Sequence, residues 1–180
     1  MIIKVAKLAK EAKMKLPDLI TRPVGRFMYS KMKEKLSIIG EGETVVLDFE
    51  NIKVIDSSFI DEFLVKLIID AESADFYIKV RNISPVSEIN IDSVFNSYSN
   101  YKSGRLAVIR EELGKNNRYY IGPLTEHESD IIDYLKLNHH AGIDEISRFC
   151  GMESGVLKKS LEDLIRLRVI RRTDGEFVSV

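Results

Sequence analysis

Two rhythms of apolar residues alternate along the first two-thirds of the chain. From Pro23 to Ile39, the residues Val24, Phe27, Met28, Met32, Leu36 and Ile39 fall at three- and four-residue steps, the period of a helix buried on one face. Pro23 suits the first turn, where a missing N–H costs nothing, and Gly40-Glu41-Gly42 ends the pattern. Thr44 to Phe49 is a short β-branched and apolar run that predicts a buried strand. Residues 51–55 read as a loop or a short extended stretch. Asp56-Ser57-Ser58 then opens a helix with a broad stripe of Phe59, Ile60, Phe63, Leu64, Leu67 and Ile68. A second strand is predicted at Phe76 to Val80, and a further helix begins at Ser84-Pro85. Ile2 to Leu8 alternates weakly and predicts an N-terminal strand. Strands alternating with helices give an α/β layer structure.

Residues 105–122 fit two readings. Leu106, Ile109 and Leu113 suit a helix. Leu106 and Val108, then Tyr119 and Ile121, suit a hairpin that turns at Gly114 to Asn117. Beyond Gly122-Pro123 the pattern changes, so the expected division is one α/β domain at 1–122 and a small domain at 123–180.

In the second domain, Thr125 and Glu128 have the spacing of a capping box. Ile131, Ile132 and Leu135 line one helix, and Ile143, Ile146, Phe149 and Cys150 point inward from a second. Gly151 supplies a turn, and Leu157, Leu161 and Leu164 line a third helix from about Ser154 to Leu167. Val169 to Arg172 and Phe177 to Val180 flank Asp174-Gly175, a strong hairpin signal. Three helices, a glycine turn and a terminal hairpin resemble a winged helix-turn-helix. That resemblance implies double-stranded DNA as a partner, with Ser154, Lys158, Lys159 and Ser160 facing the major groove. Arg171 and Arg172 would then serve as phosphate contacts of the wing. Five residues depart from the usual pattern: Glu153 at the cap, Glu162 and Asp163 where bases are common, Ile165 on a polar side, and Arg168 in place of a glycine. The rival use of this domain is protein docking or homodimerisation.

The run from Thr44 through Asp48-Phe49 to Asp56-Ser57-Ser58 and Leu64 resembles the STAS domain of anti-sigma-factor antagonists, and more closely the STAS-like family. The resemblance spans most of residues 20–100. It implies a phosphorylation switch at Ser57 or Ser58, served by a partner ATPase of the histidine-kinase type. Where the wider family continues with Gly-Leu, this chain has Phe59-Ile60. The alternative is that Asp56, Ser57 or Ser58 only caps the helix.

Composition narrows the picture without changing it. Hydrophobic residues at 44% and charged residues at 31% suit a globular chain, and a net charge of −1 gives no global attraction to nucleic acid or membrane. Lysines and arginines outnumber acids up to Lys35, as a solvated face or as a basic arm for phosphates. A single cysteine excludes an intrachain disulfide, and the absence of a signal peptide or apolar span leads to the expectation of a cytoplasmic protein. No catalytic constellation is present in the sequence. His139 and His140 lie in a turn, His127 in a capping turn and Cys150 in a core, while Asp48 and Asp56 read as structural. The expectation is a non-enzymatic regulator with no metal or cofactor. Its alternative is an adaptor in a partner-switching pathway.

Overall fold

A computed structural model describes residues 1–101, 104–114 and 116–180. The chain opens with strand β1 (Ile2–Lys4), helix α1 (Val5–Glu11) and the short strand β2 (Asp18–Leu19). The expected strand from Ile2 to Leu8 therefore stops at Lys4. Val5, Ala6, Leu8 and Ala9 are all buried, a helical set, and only three residues before them alternate. Helix α2 (Arg22–Leu36) ends three residues before Ile39. Strands β3 (Thr44–Asp48) and β4 (Val54–Ile55) lead to helix α3 (Ser57–Ile60), a π-helical turn at Asp61–Val65 and helix α4 (Lys66–Ser73). Strand β5 (Tyr77–Arg81), helix α5 (Pro85–Tyr101), strand β6 (Val108–Arg110) and strand β7 (Tyr120–Ile121) complete the α/β part.

The main sheet runs β1-β3-β5-β6-β7, parallel across the first four strands, with β7 antiparallel at the edge. Strand β2 pairs with β4 in a separate two-stranded ladder. Leu47 and Val80 are paired across β3 and β5 and project into the larger core with Phe49, Phe59, Phe63 and Phe95. Helix α2 meets the π-helical turn at Gly25, where an added Cβ would lie 2.8 Å from Glu62 Cβ and 3.0 Å from the Phe59 carbonyl oxygen. The two helices approach as closely as glycine permits.

Of the two readings for residues 105–122, the hairpin forms. Val108 pairs with Ile121 and Ile109 with Tyr120. The connecting loop closes through Gly114, whose N–H donates to the Arg118 carbonyl at 3.0 Å, while Lys115 of the expected turn lies outside the described residues. The pairing is stabilised because both faces of the hairpin are buried. Val108 and Ile121 join the larger core, and Ile109 and Tyr120 join a second one.

That second core belongs mainly to the C-terminal unit: helix α6 (Glu126–Asn138), strand β8 (His140–Ala141), helix α7 (Ile143–Cys150), helix α8 (Ser154–Arg166) and strands β9 (Ile170–Thr173) and β10 (Glu176–Ser179). The strands form a sheet in the order β8-β10-β9. The capping box forms, with Thr125 Oγ1 accepting from the Glu128 N–H and the Glu128 carboxylate accepting from the Thr125 N–H. Asp174 and Gly175 have φ of 52° and 88°, the paired positive values of a tight hairpin turn. Strand β8 carries no sequence signal, being two residues long. Phe149, expected to point inward, is 59% exposed and lies on the outside over Tyr134, ring centroids 4.4 Å apart.

The chain pattern breaks at Gly122-Pro123, but the packing does not. Ala107, Ile109 and Tyr120 from the main sheet are part of the second core, and Tyr77 packs against it. Helices cover one face of the main sheet, and the C-terminal unit covers part of the other. Gly122 sits at the join with φ 126°, where a Cβ would collide with the Leu106 carbonyl oxygen. No helix among the described residues is long and apolar enough to cross a membrane.

Candidate functional site

Helix α8 buries Leu157, Leu161 and Leu164. The opposite stripe of a helix then falls on Gly155, Lys159, Glu162 and Arg166, all exposed. Lys158 and Ile165 flank it on the side of the hairpin, where Arg172 is also exposed. Ser154 is exposed at the start of the helix, whose cap residue Glu153 makes no side-chain capping bond. Four of the six residues expected at a DNA surface, Ser154, Lys158, Lys159 and Arg172, are therefore accessible. Arg166 joins them. The sequence reading missed it, although its spacing from the three buried leucines puts it on the outer stripe.

The other two are oriented differently, which corrects the expected arrangement. Ser160 is buried, 8% exposed, in a crevice beside Arg105, Thr125 and Glu128. Arg171 turns toward the main sheet. Its Nη1 donates to the Gly42 carbonyl at 3.2 Å, and its guanidinium lies 5.9 Å from the Tyr77 ring centre. Strand register explains the split, since Arg172 pairs with buried Phe177 and Arg171 with Val178, so neighbouring residues project from opposite faces.

Arg168, where the expected winged-helix pattern has a glycine, has a positive φ of 59°. Its guanidinium stacks 4.1 Å from the Tyr77 ring centre, donates from Nε to the Phe76 carbonyl at 2.9 Å and from Nη2 to Asp75 Oδ1 at 2.7 Å. Planar stacking and a forked donor set are what arginine provides and lysine does not. On the other side of the seam, Arg105 forms a two-pronged pair with buried Glu128 at 2.7 and 2.8 Å, so the capping acid of α6 is also tied to the chain that enters it. Lys136 of α6 is desolvated beside Lys79 of β5, and its ammonium is pushed down to about 8.

At the start of α3, Asp56 is the cap. Its carboxylate accepts from the Phe59 N–H at 2.7 Å and from the Thr21 N–H at 3.1 and 3.2 Å. Ser58 is half-buried and donates its hydroxyl to Asp56 at 3.0 Å. Ser57 is exposed and lines a groove of 490 Å³ with Arg22, Ser93 and Ser97. Arg22 Nη1 bonds Asp61 at 2.7 Å and Glu62 at 3.1 Å. Glu62 also accepts from Arg26 at 3.1 Å and Lys66 at 2.6 Å, and these donors pull its carboxyl down to about 2.

The residues weighed for catalysis are separately engaged. Asp48, buried at the end of β3, accepts from Arg81, Asn82 and the Glu50 N–H, a set distinct from that of Asp56. His140 Nδ1 lies 2.8 Å from Glu176 on the exposed hairpin. Burial, and secondarily Asp130, raises the Cys150 thiol above its ordinary range and keeps it protonated.

Residues 26–88 match the family model described as a STAS-like domain of unknown function (DUF4325). The stretch that is similar to a STAS-like domain runs from α2 through the Asp56–Ser58 cap to the first turn of α5. No curated protein matches the chain.

Proposed function

We propose that this protein is a non-enzymatic regulator in which the STAS-like domain receives a partner or signal and a C-terminal winged helix-turn-helix contacts double-stranded DNA. The observation that carries the reading is the exposure of Lys158, Lys159, Arg166 and Arg172 on α8 and the hairpin, with Lys158 and Arg172 lining one groove. Exposed cations on a helix and an adjoining hairpin suit phosphate neutralisation. Glu162 lies within the same stripe and lowers the expected affinity. On the STAS-like side, Ser57 is the better candidate for phosphorylation by an ATPase-type kinase, because the Ser58 hydroxyl is already bonded to Asp56. A phosphate on Ser57 would meet Arg22 across the groove.

One observation favours a second reading, that of a protein adaptor. Ile143, Leu161, Ile165 and Phe177 line a groove of 340 Å³ between α8 and the hairpin, and Ile165 adds apolar surface where a DNA-reading helix has little use for it. The two readings separate in one titration. Fluorescence anisotropy of random duplex DNA over a salt series compares the wild type with a variant carrying Lys158→Glu, Lys159→Glu, Arg166→Glu and Arg172→Glu. The DNA reading expects binding that weakens steeply with salt. In the variant the log–log slope should fall by about 0.9 for each phosphate that is no longer neutralised. Absence of wild-type binding at low salt would refute the DNA reading in favour of the adaptor.

A further inference from the structure

The surface at the opposite end of the main sheet is independent of that reading. Strand β1 is the sheet's outermost strand, and among the described residues no strand pairs with its outer side. The Val46 N–H donates to the Met1 carbonyl at 2.8 Å, which fixes the ladder and directs the N–H and C=O of Ile2 away from β3. Beside this free edge runs a groove of 290 Å³ whose lining includes Ile2, Leu8 and Ile38 together with Lys4, Lys7 and Lys35. Ile38 is 77% exposed and Ile2 56%. Glu11 is the one acid in the lining and faces Lys35 at 3.6 Å, and Lys4 lies 3.7 Å from Glu50 in a solvent-exposed pair that an incoming carboxylate would have to displace.

We infer that this edge is a docking site for an extended, acidic and apolar segment of a partner protein, which adds a strand beside β1. Backbone pairing with Ile2 would supply affinity, and alternate side chains would supply specificity. One set of partner side chains would cover Ile2 and Ile38, and the carboxylates would meet Lys4, Lys7 and Lys35. A second copy of this chain is disfavoured as the occupant, because β1 against β1 brings like lysines together, the usual protection of an exposed edge. An acidic strand turns that protection into selection. A polyanion without apolar side chains leaves Ile2 and Ile38 uncovered.

The test uses a short fluorescein-labelled peptide of alternating glutamate and valine, titrated with the full chain at low and moderate salt. Saturable binding that weakens with salt is expected. The triple variant Lys4→Gln, Lys7→Gln and Lys35→Gln should weaken it about tenfold or more. Ile2→Pro, which deletes the outward N–H and leaves the ladder to β3 intact, should also weaken it, with an unchanged far-ultraviolet spectrum. Failure of the wild type to bind at low salt overturns the inference. So does equal affinity for a peptide of the same composition with its glutamates grouped together, or for duplex DNA, with the same sensitivity to the lysine variant. Either result would mean unspecific attraction of polyanions.

Discussion

Six cations lie between Lys158 and Arg172, and they divide into two groups with opposite duties. Lys158, Lys159, Arg166 and Arg172 face solvent, while Arg168 and Arg171 turn back onto the main sheet and bind Asp75, the Phe76 and Gly42 carbonyls and the face of Tyr77. The two groups are interleaved along the chain, and the residue types alone do not distinguish them. What separates them is the direction in which the backbone projects each side chain, together with the presence of acceptors on the facing surface. Charge density along a sequence therefore overstates the charge available to a ligand. Here two of the six cations hold the C-terminal unit in its seat.

The comparison predicts unequal consequences for substitution. The largest effect belongs to Arg168→Ala, which removes a charge-assisted hydrogen bond, a carbonyl bond and the stacking on Tyr77 and leaves the strain of the positive φ unchanged. The expected destabilisation is about 2–4 kcal/mol in urea unfolding. Arg168→Gly removes the same bonds and stacking but relieves the backbone strain that arginine and alanine share, so it should be about 1 kcal/mol less damaging. Equal destabilisation would mean that the backbone conformation contributes nothing, and a value below about 0.5 kcal/mol would dismiss the anchor itself.

A smaller effect comes from Lys136 within the seam. Desolvation, then the nearby Lys79, lowers its ammonium from an ordinary 10.5 to about 8. Between those values the unfolded chain binds more protons than the folded one, so stability rises with pH from about 8 to 10.5 and is flat below that window for this group. Lys136→Met should abolish that rise and stabilise the protein at neutral pH by about 1–2 kcal/mol, because the side chain keeps part of its hydration and the full shift is not realised. Thermal unfolding across the alkaline range measures both. The smallest effect is expected from the outward group. Replacing Lys158, Lys159, Arg166 and Arg172 by glutamine should change stability by no more than about 0.5 kcal/mol. A greater change would mean that these side chains are structural after all.

Much of this molecule was legible in the sequence wherever a feature is local. The capping box at Thr125 and Glu128, the turn at Asp174-Gly175, the helix opened by Asp56 and the leucine stripe of α8 depend on residues a few positions apart, and each forms as the spacing predicts. The resemblance of residues 44–64 to the STAS-like family rested on the same local run, and the family match covers it. Residues 105–122 were legible only as a pair of alternatives. Their strands are short, and the hairpin prevails because two separate cores bury its two faces.

The sequence by itself determined the longer helices and strands, such as α2, β3, β5, α6 and α8, because their apolar faces follow from backbone periodicity and neighbouring side chains. Only the tertiary structure decided what covers the second face of the main sheet, which arginines become anchors and where Ser160 and Phe149 point. The partners in those interactions lie far along the chain, as with Arg168 and Asp75 or Arg171 and Gly42. Their pairing depends on how two surfaces meet, a relation that no local pattern of residues encodes.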